Sequence, residues 1–306
     1  METGRANTVL VTGGRGFVGR AVGLLLQRAG YRVLSLDQSP AKSPAHGPTS
    51  IRDVQCDISD VVQLAHVFET EPIGGIIHLA AILPTAAQQE PVRATQVNVA
   101  GSLNLLEMAR QFGVPRIVFG SSLSVYGTFD GDQVVSESCR AAPEDLYGAA
   151  KLYVESLGNA YRDHYGLEFV SLRIGRVVGP GSQSASSAWR SQIFELLGEN
   201  CPSEVALPYV GSERVLLVHV DDVAAMLVTL LSAARLQQTV YNAPCGSVVV
   251  AELKREVEAL NSNIHVTLGD RNAAGNPRLL DSSRYEREFN YQPEPIFTHL
   301  RRAAGT

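Results

Sequence analysis

Residues Thr8–Gly30, TVLVTGGRGFVGRAVGLLLQRAG, place an apolar run, then three glycines spaced three apart (Gly13, Gly16 and Gly19), then an apolar helix. Local propensity opposes this order, because glycine at a helix start costs roughly 0.5–1 kcal/mol relative to alanine. The exposed backbone itself must be what is needed. Strand, glycine turn and helix in that sequence make a dinucleotide-binding turn. One glycine permits the tight turn, another lets a pyrophosphate touch backbone N–H groups, and the last lets helix and strand pack closely. The helix N-terminus adds partial positive charge for the phosphates. The next strand ends at Asp37. A carboxylate there accepts from both ribose hydroxyls and repels a 2′-phosphate, which favours NAD over NADP. Asp57 and Ile58 follow the third strand; Asp57 is placed either to meet the adenine or to cap the next helix.

Working outward, the first half alternates strand and helix. Short apolar strands are predicted at Val9–Val11, Tyr31–Leu36, Asp53–Cys56, Ile76–Leu79, Arg116–Phe119 and Glu168–Arg173. Helical spacing predicts helices over Phe17–Ala29, Val61–Glu69, Val92–Phe112 and Leu146–His164. Continuous apolar strands alternating with helices imply an α/β fold, a Rossmann-type doubly wound parallel sheet covered on both faces. Residues 1–180 read as the NAD-binding domain. After Gly179-Pro180-Gly181 the composition changes, with a polar stretch at Ser182–Ser187. Residues 181–306 read as a smaller, interleaved substrate-binding portion, with a helix near Ser191–Leu197, a strand near Val205–Val210 and a helix from Asp221-Asp222 to about Arg235. The strand near Thr239–Asn242 is expected to rejoin the main sheet. Ser39–Ser50 is the one long surface loop foreseen.

The 306-residue chain is 45% hydrophobic and 19% charged, with a net charge of −5 and no basic run. That composition argues against nucleic acid or anionic membrane as a partner. No apolar run reaches the ~20 residues of a membrane span, and the N-terminus enters a strand without a signal peptide, so a cytoplasmic location is expected. Cys56, Cys139, Cys201 and Cys245 lie far apart. They read as reduced thiols, with no metal site. His78 and His219 show no ligand spacing and read as structural.

The chemistry concentrates at Leu146-Tyr147-Gly148-Ala149-Ala150-Lys151. Tyr147 and Lys151 are i and i+4, on one helix face. A free tyrosine titrates near ~10, and a neighbouring ammonium lowers that value, so Tyr147 is expected to take the proton of an alcohol. Phe119-Gly120-Ser121-Ser122 follows the fifth strand, placing a serine hydroxyl where it can hold the substrate oxygen.

These stretches resemble the extended short-chain dehydrogenase/reductase superfamily of the NAD-dependent epimerase/dehydratase type. The resemblance rests on Thr12–Gly19, His78-Leu79-Ala80-Ala81, Asn98–Glu107, Ser121–Gly127, Tyr147-x-x-x-Lys151, Leu172-Arg173 with Gly179-Pro180, and His219–Ala224. It implies Ser122, Tyr147 and Lys151 as catalytic residues, with Tyr147 and Lys151 also meeting the cofactor. It implies Phe17 and Val18 at the pyrophosphate, Leu79, Ala80 and Ala81 over the adenosine half, and Asn98 near the cofactor. Leu123 and Ser124 stand where the family's 4,6-dehydratases carry an Asp-Glu pair, which argues against dehydratase and decarboxylase chemistry. Ser124 resembles the small hydroxyl residue of 4-epimerases. Arg176 stands where nucleotide-sugar enzymes carry an asparagine; its fork suits a carboxylate or phosphate, and a surface ion pair is the alternative. Trp189 and Arg190 are further substrate-pocket candidates. The expected function is NAD-dependent, reversible hydride transfer at a secondary hydroxyl of a sugar-like, anionic substrate, by a sugar or sugar-acid dehydrogenase or a nucleotide-sugar 4-epimerase. A ketoreductase on a small non-sugar substrate and a non-catalytic NAD-binding sensor are the alternatives. The family pairs the helices at Val92–Phe112 and Leu146–His164, which implies a homodimer.

Overall fold

The computed structural model describes residues 7–40, 50–129, 133–182 and 187–306. The foreseen loop at Ser39–Ser50 and the polar stretch at Ser182–Ser187 fall largely outside the described residues. In chain order the first strands are β1 (Thr8–Thr12), β2 (Arg32–Asp37), β3 (Ile51–Gln55), β4 (Gly75–His78), β5 (Arg116–Ser122), β6 (Val134–Val135) and β7 (Glu168–Ile174). The remainder are β8 (Arg176–Val178), β9 (Ser203–Tyr209), β10 (Arg214–His219), β11 (Val240–Asn242), β12 (Gly246–Val249), β13 (Ile264–Arg271) and β14 (Leu279–Leu280).

A seven-stranded sheet has the order β11-β7-β5-β4-β1-β2-β3. Every pairing in it is parallel. The strand near Thr239–Asn242 therefore does rejoin it, as β11. β1, β4 and β5 are buried along their whole length because helices cover both faces. β3, at the edge, exposes Arg52 and Asp53, charges that discourage edge-to-edge pairing. The order reverses between β1 and β4, so the ligand crevice lies beyond their carboxyl ends.

The helices are α1 (Phe17–Arg28), α2 (Val61–Thr70), α3 (Pro84–Gln89), α4 (Pro91–Thr95), α5 (Ser102–Gln111) and α6 (Leu146–Tyr165), followed by α7 (Trp189–Glu195), α8 (Val220–Ser232), α9 (Val250–Leu260), α10 (Ser283–Phe289) and α11 (Ile296–Ala303). On one face Leu64, Phe68, Leu105, Leu106 and Val154 from α2, α5 and α6 pack on Leu10, Ile76 and Phe119. On the other, Val22 and Leu26 of α1 join Val223, Leu227 and Leu230 of α8 against Val9, Val11, Ile77 and Val118. The helix opened by Asp221-Asp222 thus packs on the central sheet, unlike the sequence reading that placed it in the smaller portion. Its apolar face is as wide as that of α1, and the large buried face available to it belongs to the sheet. The helix foreseen at Val92–Phe112 is divided: a π turn over Gln96–Gly101 separates α4 from α5.

The smaller portion is built from β12-β10-β8 and β13-β9. Its own core gathers Trp189, Ile193, Val205, Leu207, Leu217, Leu253 and Leu300 from these strands and from α7, α9 and α11. β14 pairs with β6 and ties the smaller portion to the segment before α6.

Candidate active site

The glycine turn is explained by contacts at β4. Gly13 has φ +66°, and a Cβ there would lie 2.8 Å from the Ala80 nitrogen and 2.9 Å from the Leu79 carbonyl carbon. A Cβ on Gly19 would overlap the Gly13 carbonyl oxygen, so α1 sits directly on the turn. Gly16 is the N-cap of α1; no side chain caps it, and the first turn carries no acid. The N–H groups of Phe17 and Val18 and the helix dipole are thereby left for an anion. The Thr12 hydroxyl accepts from the N–H groups of Leu79 and Ala80, both at 3.2 Å, and fixes the β4 exit that continues into Ala81. His78 bonds Thr12 at 2.6 Å and Ser102 at 2.9 Å. Burial, with help from Lys151, pushes its pKa down to about 3, so His78 is a neutral strut between layers.

At the end of β2, the Asp37 carboxylate accepts from the N–H groups of Arg15 at 3.3 Å and Ser39 at 3.1 Å. Beside it, a cleft of about 630 Å³ is bounded by Gln38, Ser39, Gln55, Asp57 and Gln63. Asp57 accepts from the N–H and hydroxyl of Ser59 at 2.9 and 2.7 Å and pairs with Arg93. Burial raises the Asp57 pKa, but the bonds from Ser59 and Arg93 outweigh it and hold the carboxyl below its ordinary range. The cap of α2 is Asp60, which accepts from Val62 and Gln63 N–H, so the capping alternative for Asp57 is corrected. Asp57 is instead locked into a turn of its own. The Ile58 side chain is buried in the core and does not bound the cleft. The Asn98 amide bridges the backbone of Ile82, accepting from its N–H at 2.7 Å and donating to its carbonyl at 2.9 Å. It shapes the segment after β4. The uncapped helix start, the space that a Cβ at Gly13 or Gly19 would fill, and the carboxylate at the end of β2 fit a dinucleotide.

Tyr147, Ser122 and Lys151 converge at the carboxyl end of β5. Asp145 caps α6 by accepting from Gly148 N–H at 2.6 Å. A Cβ on Gly148 would run into the backbone of Ser124, so glycine after the tyrosine lets the start of α6 press on the Ser122–Ser124 turn. The Ser122 hydroxyl donates to Ser124 Oγ at 3.1 Å and interacts with the Tyr147 phenol. Lys151 Nζ donates to the Gly120 carbonyl at 2.7 Å, lies 4.5 Å from the Phe119 ring centroid and 5.5 Å from that of Tyr147. Without bound cofactor, the expected lowering of the Tyr147 pKa is not present. Burial, then the Asp145 charge, push Tyr147 up to about 12, against the smaller lowering effect of Ser122. Burial brings Lys151 down to about 7, opposed by Glu155. Each group leans toward its neutral form because burial disfavours its charged one.

Beneath Lys151 lies a pair that sequence reasoning left out of the site. Arg173 on β7 grips Glu155 on α6 with two bonds, at 3.0 and 2.6 Å, and Ser121 donates to the same carboxylate at 2.5 Å. Both charged side chains are more than nine-tenths buried. The i+4 step from Lys151 to Glu155 was the available signal. Tyr126, buried over Arg173 and bonded to Asn242 at 2.7 Å, is a wall residue.

Ser124, at the turn, is buried beside Ser122. Arg176 opens β8 and donates to the Ala274 carbonyl at 3.3 Å. It is buried, and no carboxylate pairs with it among the described residues. Arg190 lies near it on α7. Trp189 is corrected from pocket to core: it is 4% exposed and packs edge-on against Tyr209 at 6.1 Å, because α7 turns Trp189, Ile193 and Phe194 inward together.

Residues 9–243 match the model of the NAD dependent epimerase/dehydratase family. The chain belongs to this family. It is 35% identical over 175 residues to UDP-glucose 4-epimerase of Lacticaseibacillus casei, covering 56% of this chain and 52% of that protein. It is 33% identical over 176 residues to uronate dehydrogenase of Pseudomonas putida, covering 57% of this chain and 63% of that protein. The alignments thus span about half the length of these curated relatives. The fold matches NAD-bound UDP-glucose 4-epimerase of Thermus thermophilus with a TM-score of 0.81 at 24% identity, covering 97% of this chain and 98% of that one. It matches L-threonine 3-dehydrogenase of Trypanosoma brucei with a TM-score of 0.83 at 24% identity, covering 96% and 95%. The family's NAD dependence agrees with the glycine turn and Asp37. No described helix is long and apolar enough to cross a membrane.

Proposed function

We propose that this family member is an NAD-dependent oxidoreductase acting by reversible hydride transfer at a secondary hydroxyl of a sugar-like substrate. The observation that carries the reading is the convergence of Ser122, Tyr147 and Lys151 at the end of β5, beside the crevice at the glycine turn. Gly13, Gly16, Gly19, Phe17 and Val18 would hold the pyrophosphate of NAD, Asp37 the adenosine ribose, and Leu79, Ala80 and Ala81 the strand end above it; the bound cofactor supplies the hydride acceptor. Ser122 holds the substrate hydroxyl against Tyr147. The phenolic oxygen of Tyr147 receives the hydroxyl proton. Lys151, fixed on the Gly120 carbonyl, provides the positive charge that stabilises Tyr147 as the phenolate, which becomes the neutral phenol when it takes this proton. Ser124 braces Ser122 and borders the same space.

The test is Tyr147→Phe, which removes only the phenolic proton path. It should keep NAD binding and lose most turnover, read as reduced-nicotinamide absorbance for a dehydrogenase and as stereochemical change without net signal for a 4-epimerase. Near-normal turnover would refute the role. The same reading includes a homodimer through α4, α5 and α6. Support comes from apolar side chains these helices leave exposed, Val92 at 72% and Tyr153 at 54% among them, with Leu103 and Leu146.

A further inference from the structure

We infer that Arg176 and Arg190 together form an oxyanion clamp in the substrate cleft, and that the sugar-like substrate is an acid whose carboxylate they hold. This deepens the function proposed above and rests on it. Arg176 is 9% exposed, on β8. Its guanidinium faces the Tyr209 ring at 5.8 Å from the centroid, and its one hydrogen bond among the described residues goes to the Ala274 carbonyl. Arg190, one position along α7 from the core residue Trp189, interacts with the same Tyr209. Its Nε is buried with no partner among the described residues. No aspartate or glutamate pairs with either arginine among the described residues. Burial, then the charge of Arg176, push the Arg190 pKa below its ordinary value, as two like charges side by side must.

Unpaired buried charge is costly, and buried arginines ordinarily find a carboxylate. Other buried arginines of this chain do so: Arg173 has Glu155, and Arg116 has Glu168. Among the described residues Arg176 and its half-buried neighbour Arg190 lack such a partner, and β8 follows directly on the strand that pairs with Ser122. Ser122 pairs in register with Ile174 on β7. Arg176 follows two residues later, about 7 Å on at the rise of an extended chain. Between them a Cβ on Gly175 would come to 3.3 Å from Leu123, the residue after Ser122. The opposite wall is tied in as well. Gly275 N–H, next to Ala274, donates to the Thr128 hydroxyl at 2.9 Å, and Thr128 bonds Glu144 just before α6. The register thus sets the start of β8 beside the Ser122 turn, where a substrate held by Ser122 and Tyr147 at its hydroxyl would reach the clamp with its carboxylate. A guanidinium fork binds a planar carboxylate with two parallel bonds.

The experiment compares wild type, Arg176→Ala, Arg190→Ala and Arg176→Lys with NAD and four probes: galacturonate, gluconate, neutral galactose and UDP-glucose. Both turnover and thermal melting are followed. Turnover of a sugar acid should suffer a roughly tenfold to hundredfold rise in KM in either alanine variant, with NAD affinity unchanged and only partial rescue by lysine. The sugar acid should raise the melting temperature of wild type and not of the alanine variants. Without ligand, the alanine variants should melt at or above the wild-type temperature, since each removes a charge that no acid pairs among the described residues; a structural arginine would do the reverse. Arg190→Gln, which keeps much of the volume, serves if an alanine variant does not fold. Stabilisation by a sugar acid that depends on both arginines, without turnover, would uphold the clamp and overturn the hydride-transfer reading. Turnover of UDP-glucose alone, weakened in the arginine variants, would overturn the carboxylate assignment in favour of a diphosphate. Turnover of galactose that both alanine variants leave intact would overturn the clamp while the hydride-transfer reading stands.

Discussion

Glu155→Gln tests the buried support of the catalytic lysine. The substitution preserves shape and removes charge from a carboxylate that receives two bonds from Arg173 and one from Ser121. The Glu155 and Arg173 side chains are 4% and 7% exposed, so water cannot compensate the guanidinium left behind. Breaking one partner of such a buried pair costs about 3–5 kcal/mol. At the size of this chain that corresponds to a fall of roughly 5–8 °C in melting temperature. Because Glu155 raises the Lys151 pKa, its loss also moves that pKa further below about 7. The alkaline limb of kcat/KM should then shift to lower pH. Replacing both partners with apolar residues, Glu155→Leu with Arg173→Met, should recover much of the stability while leaving Lys151 without its carboxylate. Scanning calorimetry and a pH–rate profile read the two effects separately. A melting temperature within about 2 °C of wild type together with an unmoved pH profile would refute the reasoning.

Other outcomes follow from the site. Asp37→Ala should raise NADP affinity about tenfold or more, because the repulsive carboxylate is gone and Arg15, now paired with Asp53 at 3.1 Å, is a neighbouring cation for a 2′-phosphate; binding titrations with unchanged discrimination would contradict it. Gly19→Ala should abolish tight NAD binding, since the added Cβ overlaps the Gly13 carbonyl; calorimetric titration checks this. His78, with a pKa near 3 folded against about 6.5 unfolded, stays neutral while the unfolded chain takes up a proton, so stability is lost as pH falls from about 6.5 towards 3. At pH 5 this amounts to about 2 kcal/mol relative to pH 7, visible in urea melts and absent in His78→Gln. Light scattering at micromolar concentration should return a dimer mass, reduced by Tyr153→Lys at the exposed face of α6.

The sequence by itself determined the sheet and the cofactor turn, because both are written in local patterns. Continuous apolar strands, three glycines at fixed spacing and an acid at the end of β2 carry the same physical meaning wherever they stand. Tyr147 and Lys151 were legible for the same reason: a helix fixes the i, i+4 relation without reference to anything else. Burial was not legible, and burial decides the rest. It leaves Tyr147 near 12 and Lys151 near 7 before a cofactor binds, the reverse of what proximity alone suggests. It commits the Asn98 amide to Ile82 and sends Trp189 into the smaller core. It joins Glu155 to Arg173 across 18 positions of the chain. It also places two arginines side by side with no acid paired to either among the described residues, a relation between β8 and α7 that no single stretch of sequence encodes, because partners across elements meet only when the chain has packed.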